Sequence, residues 1–211
     1  MEDVLDLYEE EYDSRYPTVC FDENLVAPEA DVRPPEAMVP GQPERMDYEY
    51  ERLGTANLFF FVEPLRGWRH VEMTEHRTKI DYAHCIQWLV DEVYPHASSI
   101  RIVQDNLNTH TAAALYEAFE PAEARRILRR VEFHYTPKHG SWLNMAEIEI
   151  SIFARGCLSR RVPSMQDLCQ RVASLEAERN AQRCTISWRF TSNHARDKLH
   201  DLYPIVKNNL D

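Results

Sequence analysis

The 211-residue sequence predicts an α/β fold, a mixed five-stranded sheet flanked by helices. Three observations lead there. Two strand patterns, Asn57–Glu63 and Trp68–Met73, are separated only by a turn through Pro64, Arg66 and Gly67, which makes them an antiparallel hairpin. Two later strand patterns, Ser99–Gln104 and Val131–Tyr135, are separated by helical segments, the spacing of a crossover between parallel strands. A fifth run, Tyr16–Asp22, is short, β-branched and aromatic, and supplies the first strand.

The elements follow in order. Residues 1–15 are acidic and read as an N-terminal arm or a frayed helix ahead of a domain at 16–211. Residues 27–47 hold Pro28, Pro34, Pro35, Pro40, Pro43 and Gly41, so this Pro-rich stretch reads as a loop. Asn57–Glu63 is almost continuously apolar and reads as a buried strand; Trp68–Met73 alternates, as its partner should. Thr78–Tyr94 has helical spacing, with Thr78 or Asp81 to cap or charge its start and Pro95 beyond its end. Asn108-Thr109 reads as a cap for a helix near 111–119, and residues 122–130 form a second helical piece. Pro137–Gly140 is a turn, and helices are expected near 141–158 and 164–182, the latter capped by Ser164. A ribonuclease-H-like fold fits this order.

Composition narrows the class. A hydrophobic fraction of 44% suffices for a core, and no run of 18 apolar residues exists to span a membrane. The acidic Met1-Glu2-Asp3-Val4 start carries no secretion signal. Five scattered cysteines without a Cys-x-x-Cys pair point to reduced thiols in a cytoplasmic protein, and away from a disulfide frame or zinc site. The net charge of −11 looks wrong for a DNA partner, since DNA binding leans on cations. The distribution along the chain reverses that impression: residues 1–66 carry 17 acidic and 5 basic side chains, residues 67–211 carry 18 and 19. Arg125, Arg126, Arg129, Arg130 and Lys138 form one basic stretch; Arg155, Arg160 and Arg161 form another. The plainer account of both is a solvated helix face with ordinary salt pairs. The acidic leader is expected to cover a basic face or meet a basic partner.

Three carboxylates stand where a nuclease needs them: Asp22 and Asp105 at strand ends, Glu147 on a helix. Together they offer enough hard oxygens for a pair of Mg²⁺ ions, which can activate a water or hydroxyl for in-line attack on a phosphodiester. Side chains alternate across a strand, so Asp22 and Glu23 face opposite ways and only one joins a given site. Glu149 lies roughly 200° around the helix from Glu147. The segment 143–153 is apolar nearly all round, so spacing alone does not choose between them; one is expected to pair with an arginine. Trp142 is read as a core residue.

The blocks Cys20-Phe21-Asp22-Glu23, Gln104-Asp105-Asn106-Leu107-Asn108-Thr109-His110 and above all Tyr135-Thr136-Pro137-Lys138-His139-Gly140-Ser141-Trp142-Leu143-Asn144-Met145-Ala146-Glu147 closely resemble the catalytic domain of DDE transposases. The branch is that of bacterial insertion sequences in the mariner-like superfamily, and the resemblance covers about Tyr16 to Pro204. It implies a ribonuclease-H-like fold, a metal-binding catalytic triad of Asp22, Asp105 and Glu147, and two Mg²⁺ ions, with Mn²⁺ substituting. It implies cleavage at transposon ends, then attack of the freed 3′ hydroxyl on target DNA. Asn106, His110, Lys138, His139 and Asn144 are the neighbours expected to support the triad or contact DNA. The 41 residues between Asp105 and Glu147 exceed the spacing usual in mariner relatives, the extra length falling in Pro121–Arg130. No helix-turn-helix precedes Tyr16, so a separate DNA-binding polypeptide is expected, with a homodimer at work on two DNA ends. Two other readings stay open: a transposase-derived domain that binds DNA or a partner without cutting, and another ribonuclease-H-like nuclease.

Overall fold

The computed structural model describes residues 1–33, 38–42, 48–159 and 161–203. Part of the Pro-rich stretch, Arg160 and the last residues from Pro204 on lie outside the described residues. Seven strands occur among them: β1 Thr18–Val26, β2 Glu29–Asp31, β3 Tyr50–Arg52, β4 Ala56–Glu63, β5 Trp68–Thr74, β6 Ile100–Gln104 and β7 Val131–Tyr135. The helices are α1 Glu2–Glu9, α2 Lys79–Trp88, α3 Ala112–Ala118, α4 Pro121–Leu128, α5 Ala146–Gly156, α6 Met165–Ala181 and α7 Ser192–Lys198.

Five strands form the expected mixed sheet in the order β5-β4-β1-β6-β7. The hairpin β4–β5 and the pair β1–β4 are antiparallel; β6 runs parallel to β1 and to β7. β4 is buried along its whole length, as its Phe59-Phe60-Phe61 run requires of a strand covered on both faces. Gly67 closes the hairpin at φ 70°, and a Cβ there would lie 2.5 Å from the carbonyl oxygen of Arg183. β1 runs four residues beyond the expected end at Asp22, because Glu23 to Val26 continue the antiparallel ladder with β4. Its parallel pairing to β6 stops at Cys20↔Val103.

Helices cover both faces. On one, Val19, Phe21, Phe59 and Phe61 meet Tyr82 and Ile86 of α2, Leu115 of α3 and Ile127 of α4. Each buried phenylalanine contributes on the order of 2–3 kcal/mol. On the other, Cys20, Val62 and Val103 meet α1, Leu143, Met145 and Ala146, while Leu58 and Phe60 meet Phe153 of α5 and Leu168 and Val172 of α6. Thr78 and Asp81 act together as a capping box on α2, which ends in a π-helical turn at Leu89–Val93, and Ser164 caps α6.

Three expectations need correction. Residues 2–9 are neither an arm nor a frayed helix but a packed one: Val4, Leu5 and Leu7 are buried, so α1 is part of the body. Its acids meet basic side chains, Glu2 on Arg196 and Asp3 hydrogen-bonded to His134, while Glu10 just beyond the helix pairs with Arg101. The stretch 27–47 is not wholly loop, since β2 pairs with β3 as a separate two-stranded sheet, held to the body by Arg161 on Asp31. The expected helix from 141 is a 3₁₀ turn, Ser141–Leu143, followed by α5. All five cysteines are free. No helix among the described residues is long and apolar enough to cross a membrane.

Candidate active site

Asp22 is placed by the sheet itself. It follows the last parallel rung between β1 and β6, at the end where β6 gives way to Asp105. It is thus not at a strand end, as expected, but in mid-strand beside the end of a shorter neighbour. Alternation sends Val19 and Phe21 to the α2 face and Cys20 to the α5 face, so Asp22 points toward α5. There Asn144 fixes it: the buried amide donates to the Phe21 carbonyl at 2.7 Å and to Asp22 Oδ2 at 3.1 Å.

Electrostatics link the three carboxylates. Burial pushes the Asp22 carboxyl up to about 7, and the negative charges of Glu147 and Asp105 push the same way. Glu147, in the first turn of α5, is half-buried, and among the described residues neither it nor Asp22 forms an ion pair. Asp105 is bonded by a histidine. Burial opposes its charge, but the hydrogen bond and charge of His110, the Leu107 N–H and the charge of Arg77 together outweigh it and hold the Asp105 carboxyl below its usual range.

His110 is buried beneath Asp105, with Nδ1 2.6 Å from Asp105 Oδ1 and Nε2 3.3 Å from Glu23 Oε2. Burial disfavours its charge, yet bonds to Asp105 and Glu23 prevail and raise it to about 9, so the ring is an imidazolium at neutral pH. Its edge packs on Phe21 at 4.9 Å between ring centroids. Glu23 also takes Arg77 at 2.8 Å. Sequence reasoning assigned Glu23 and Arg77 no part. The available signal was parity: a carboxylate on the face of Val19 and Phe21 points into a core and needs a partner there.

Glu149 is excluded. It is fully buried, bound by Arg69 at 3.1 Å and by Arg179 at 2.7 and 2.8 Å. That is the arginine-paired glutamate the sequence anticipated, and it leaves Glu147 as the carboxylate free to serve chemistry. Asn106, Lys138 and His139 are exposed; His110 and Asn144 are buried. The Pro137–Gly140 turn holds His139 at φ 64°, and a Cβ on Gly140 would lie 2.6 Å from Pro137 Cγ. Trp142 is not core but 46% exposed. In the basic stretches, Arg126 pairs with Asp91 and Glu123, and Arg130 bonds the carbonyls of Tyr94 and Pro95.

The donor set is right for a hard divalent cation: carboxylate oxygens, those of Asp22 and Glu147 without an ion pair among the described residues, whose mutual repulsion a cation would relieve. The geometry is open, since no three His, Cys, Asp or Glu among the described residues form a ready ligand cluster.

Comparison with known proteins accords with this fold. No curated protein matches the sequence. Among solved structures, the Mos1 mariner paired-end complex with Mn is 16% identical, covering 86% of this chain and 55% of that one at a TM-score of 0.53. The Mos1 strand transfer complex (15%, 87% and 57%, 0.53) and a pre-cleavage Mos1 transpososome (15%, 86% and 58%, 0.55) are similar. The chain spans somewhat over half the length of these Mos1 chains, and the likeness establishes the ribonuclease-H-like fold. Residues 17–169 match the model of the DDE superfamily endonucleases, and the chain belongs to that family.

Proposed function

We propose that this chain is the catalytic domain of a DDE transposase of the insertion-sequence type, which cleaves DNA at transposon ends and transfers the strand to target DNA. The observation that carries the reading is Asp22, turned toward α5 and fixed by Asn144, with Glu149 withdrawn into an arginine clamp and Glu147 left in the first turn of the same helix. Asp22, Asp105 and Glu147 would hold two Mg²⁺ ions, Mn²⁺ substituting; the Mos1 paired-end complex was solved with Mn. Bound there, the metals would supply Lewis acidity and lower the pKa of a water or 3′ hydroxyl. The chain's own residues do the rest. Asn144 holds one Asp22 oxygen toward α5, and His110, itself held by Glu23, orients Asp105 from below. The partners on this reading are transposon-end and target DNA and a second copy of the chain.

A second reading, a domain that binds DNA or a partner without cutting, draws on the open geometry of the three carboxylates. One experiment separates the two. Mn²⁺ titrated calorimetrically into the chain should give heat that Asp22→Ala/Asp105→Ala lacks, and Asp105→Asn should abolish metal-dependent nicking of duplex DNA. Equal heats from both proteins reject the metal site, and the catalytic reading with it.

A further inference from the structure

We propose that Trp142, backed by Trp188 and Phe190, is a stacking platform for an unpaired nucleobase of the DNA strand held at the carboxylates. The inference rests on the nucleic-acid reading above and adds to it a recognition site that acts on bases instead of phosphodiesters.

Trp142 belongs to the Ser141–Leu143 turn, two residues before the Asn144 that holds Asp22. It remains 46% exposed, although an indole is among the side chains most favoured in a core. Its surroundings form a rigid base. The Trp188 ring lies nearly parallel to it, 18° between planes and 6.4 Å between centroids. Phe190 meets it edge-on at 5.4 Å. Trp188 is itself fixed, its Nε1 donating to the Phe190 carbonyl at 2.7 Å and its ring braced by Tyr8 at 5.3 Å. Little ordering remains to oppose a flat ligand settling on the open part of the Trp142 ring.

Charge decides which flat ligand. Lys138, His139 and Arg189 are exposed, and among the described residues none of them has a hydrogen bond or ion pair. Around α7, Glu2 pairs with Arg196, and Asp6 and Glu9 accept from Ser192. Open aromatic surface with the cations of Lys138 and Arg189 close by in sequence, neither partnered among the described residues, is the combination that grips single strands, where π-faces stack and phosphates meet charge. In a duplex both faces of each base are covered, so the occupant must be unpaired. A strand opened at Asp22 and Asp105 would offer such a base within a few residues of the cut.

The test is binding of a short single-stranded oligonucleotide to the full chain without added metal, against an abasic strand of equal length. Trp142→Ala is expected to weaken the base-bearing strand about tenfold, within the worth of one stacked base, and to leave the abasic strand unchanged. Trp142→Phe should restore most of the loss. Equal binding of both strands by the unaltered chain, or equal loss of both in Trp142→Ala, overturns the proposal. If Trp142→Ala does not fold, tryptophan emission of the unaltered chain decides: quenching by the base-bearing strand alone supports stacking, and equal quenching rejects it. Self-association that Trp142→Ala abolishes, with base-bearing strands still bound, would assign the surface to a second copy and overturn it too. Nicking of duplex DNA is scored separately. Base-dependent binding without nicking rejects the nuclease reading alone, and nicking without base dependence rejects the platform alone.

Discussion

The side-chain amide of Asn180 bonds the backbone of Arg69 twice, accepting from its N–H at 2.9 Å and donating to its carbonyl at 2.8 Å. One turn earlier on α6, Glu176 accepts from the Val71 N–H at 2.9 Å. Together they occupy alternate outward groups of β5, the edge strand, much as another strand would. Asn180→Ala should cost about 1–3 kcal/mol in urea unfolding. Glu176→Ala/Asn180→Ala should also aggregate on concentration, visible by light scattering; a double variant as soluble as the parent would show that α6 does not guard this edge.

Two glutamates on one helix should behave oppositely. Glu149→Ala leaves Arg69 buried without its carboxylate, a loss of about 3–5 kcal/mol in denaturant titration. Glu147→Gln should stay within about 0.5 kcal/mol of the parent, as half-buried sites without partners do, and lose metal-dependent nicking. A Glu147→Gln variant that nicks at parental rate would mean the wrong carboxylate has been assigned.

Asn144 is expected to matter for metal before it matters for cleavage. Asn144→Ala leaves the Phe21 carbonyl unsatisfied in the interior, costing about 1–3 kcal/mol. By releasing Asp22 it should also weaken Mn²⁺ binding roughly tenfold to a hundredfold in calorimetry. Unchanged affinity would make the bond to Asp22 incidental.

The pH dependence of stability has one traceable contributor in His70. Burial pulls its pKa down, but Glu176 and Glu72 outweigh burial and raise it above 6.5. A histidine that binds its proton more tightly when folded stabilises fully below that ordinary value, and the gain fades as pH rises through the folded one. His70→Gln should therefore lower the melting temperature at mildly acidic pH and converge with the parent in alkali. Parallel melting curves at all pH values would show that His70 contributes nothing to it.

Much of the fold was legible in the sequence because the signals were local. The triple phenylalanine of β4, the Thr78 cap and the strand before Asp105 each declare themselves within a few residues. The mixed sheet follows from their order. What escaped depends on distant partners. The overrun of β1 is imposed by β4, which pairs with Asn24 and Leu25 irrespective of their weak alternation. The choice of Glu147 over Glu149 came from the family resemblance and not from spacing, because what separates them, Arg69 and Arg179, lies far off in sequence. α7, Ser192–Lys198, is polar at most positions and shows no apolar period; its place is set by Ala195 against α1. Trp142 looked internal because nothing nearby announced that its neighbour would be Trp188.

β7 enters the sheet with Val131 beside Ile100, the first residue of β6, so the α3–α4 excursion rejoins the sheet at the end away from Asp105. Chain added at the exposed Arg129, two residues before Val131, would therefore emerge at that far end. A fluorophore tag or a whole fused module could be grafted there and leave the Asp105 end as it is, which makes that junction the natural handle for tethering the protein.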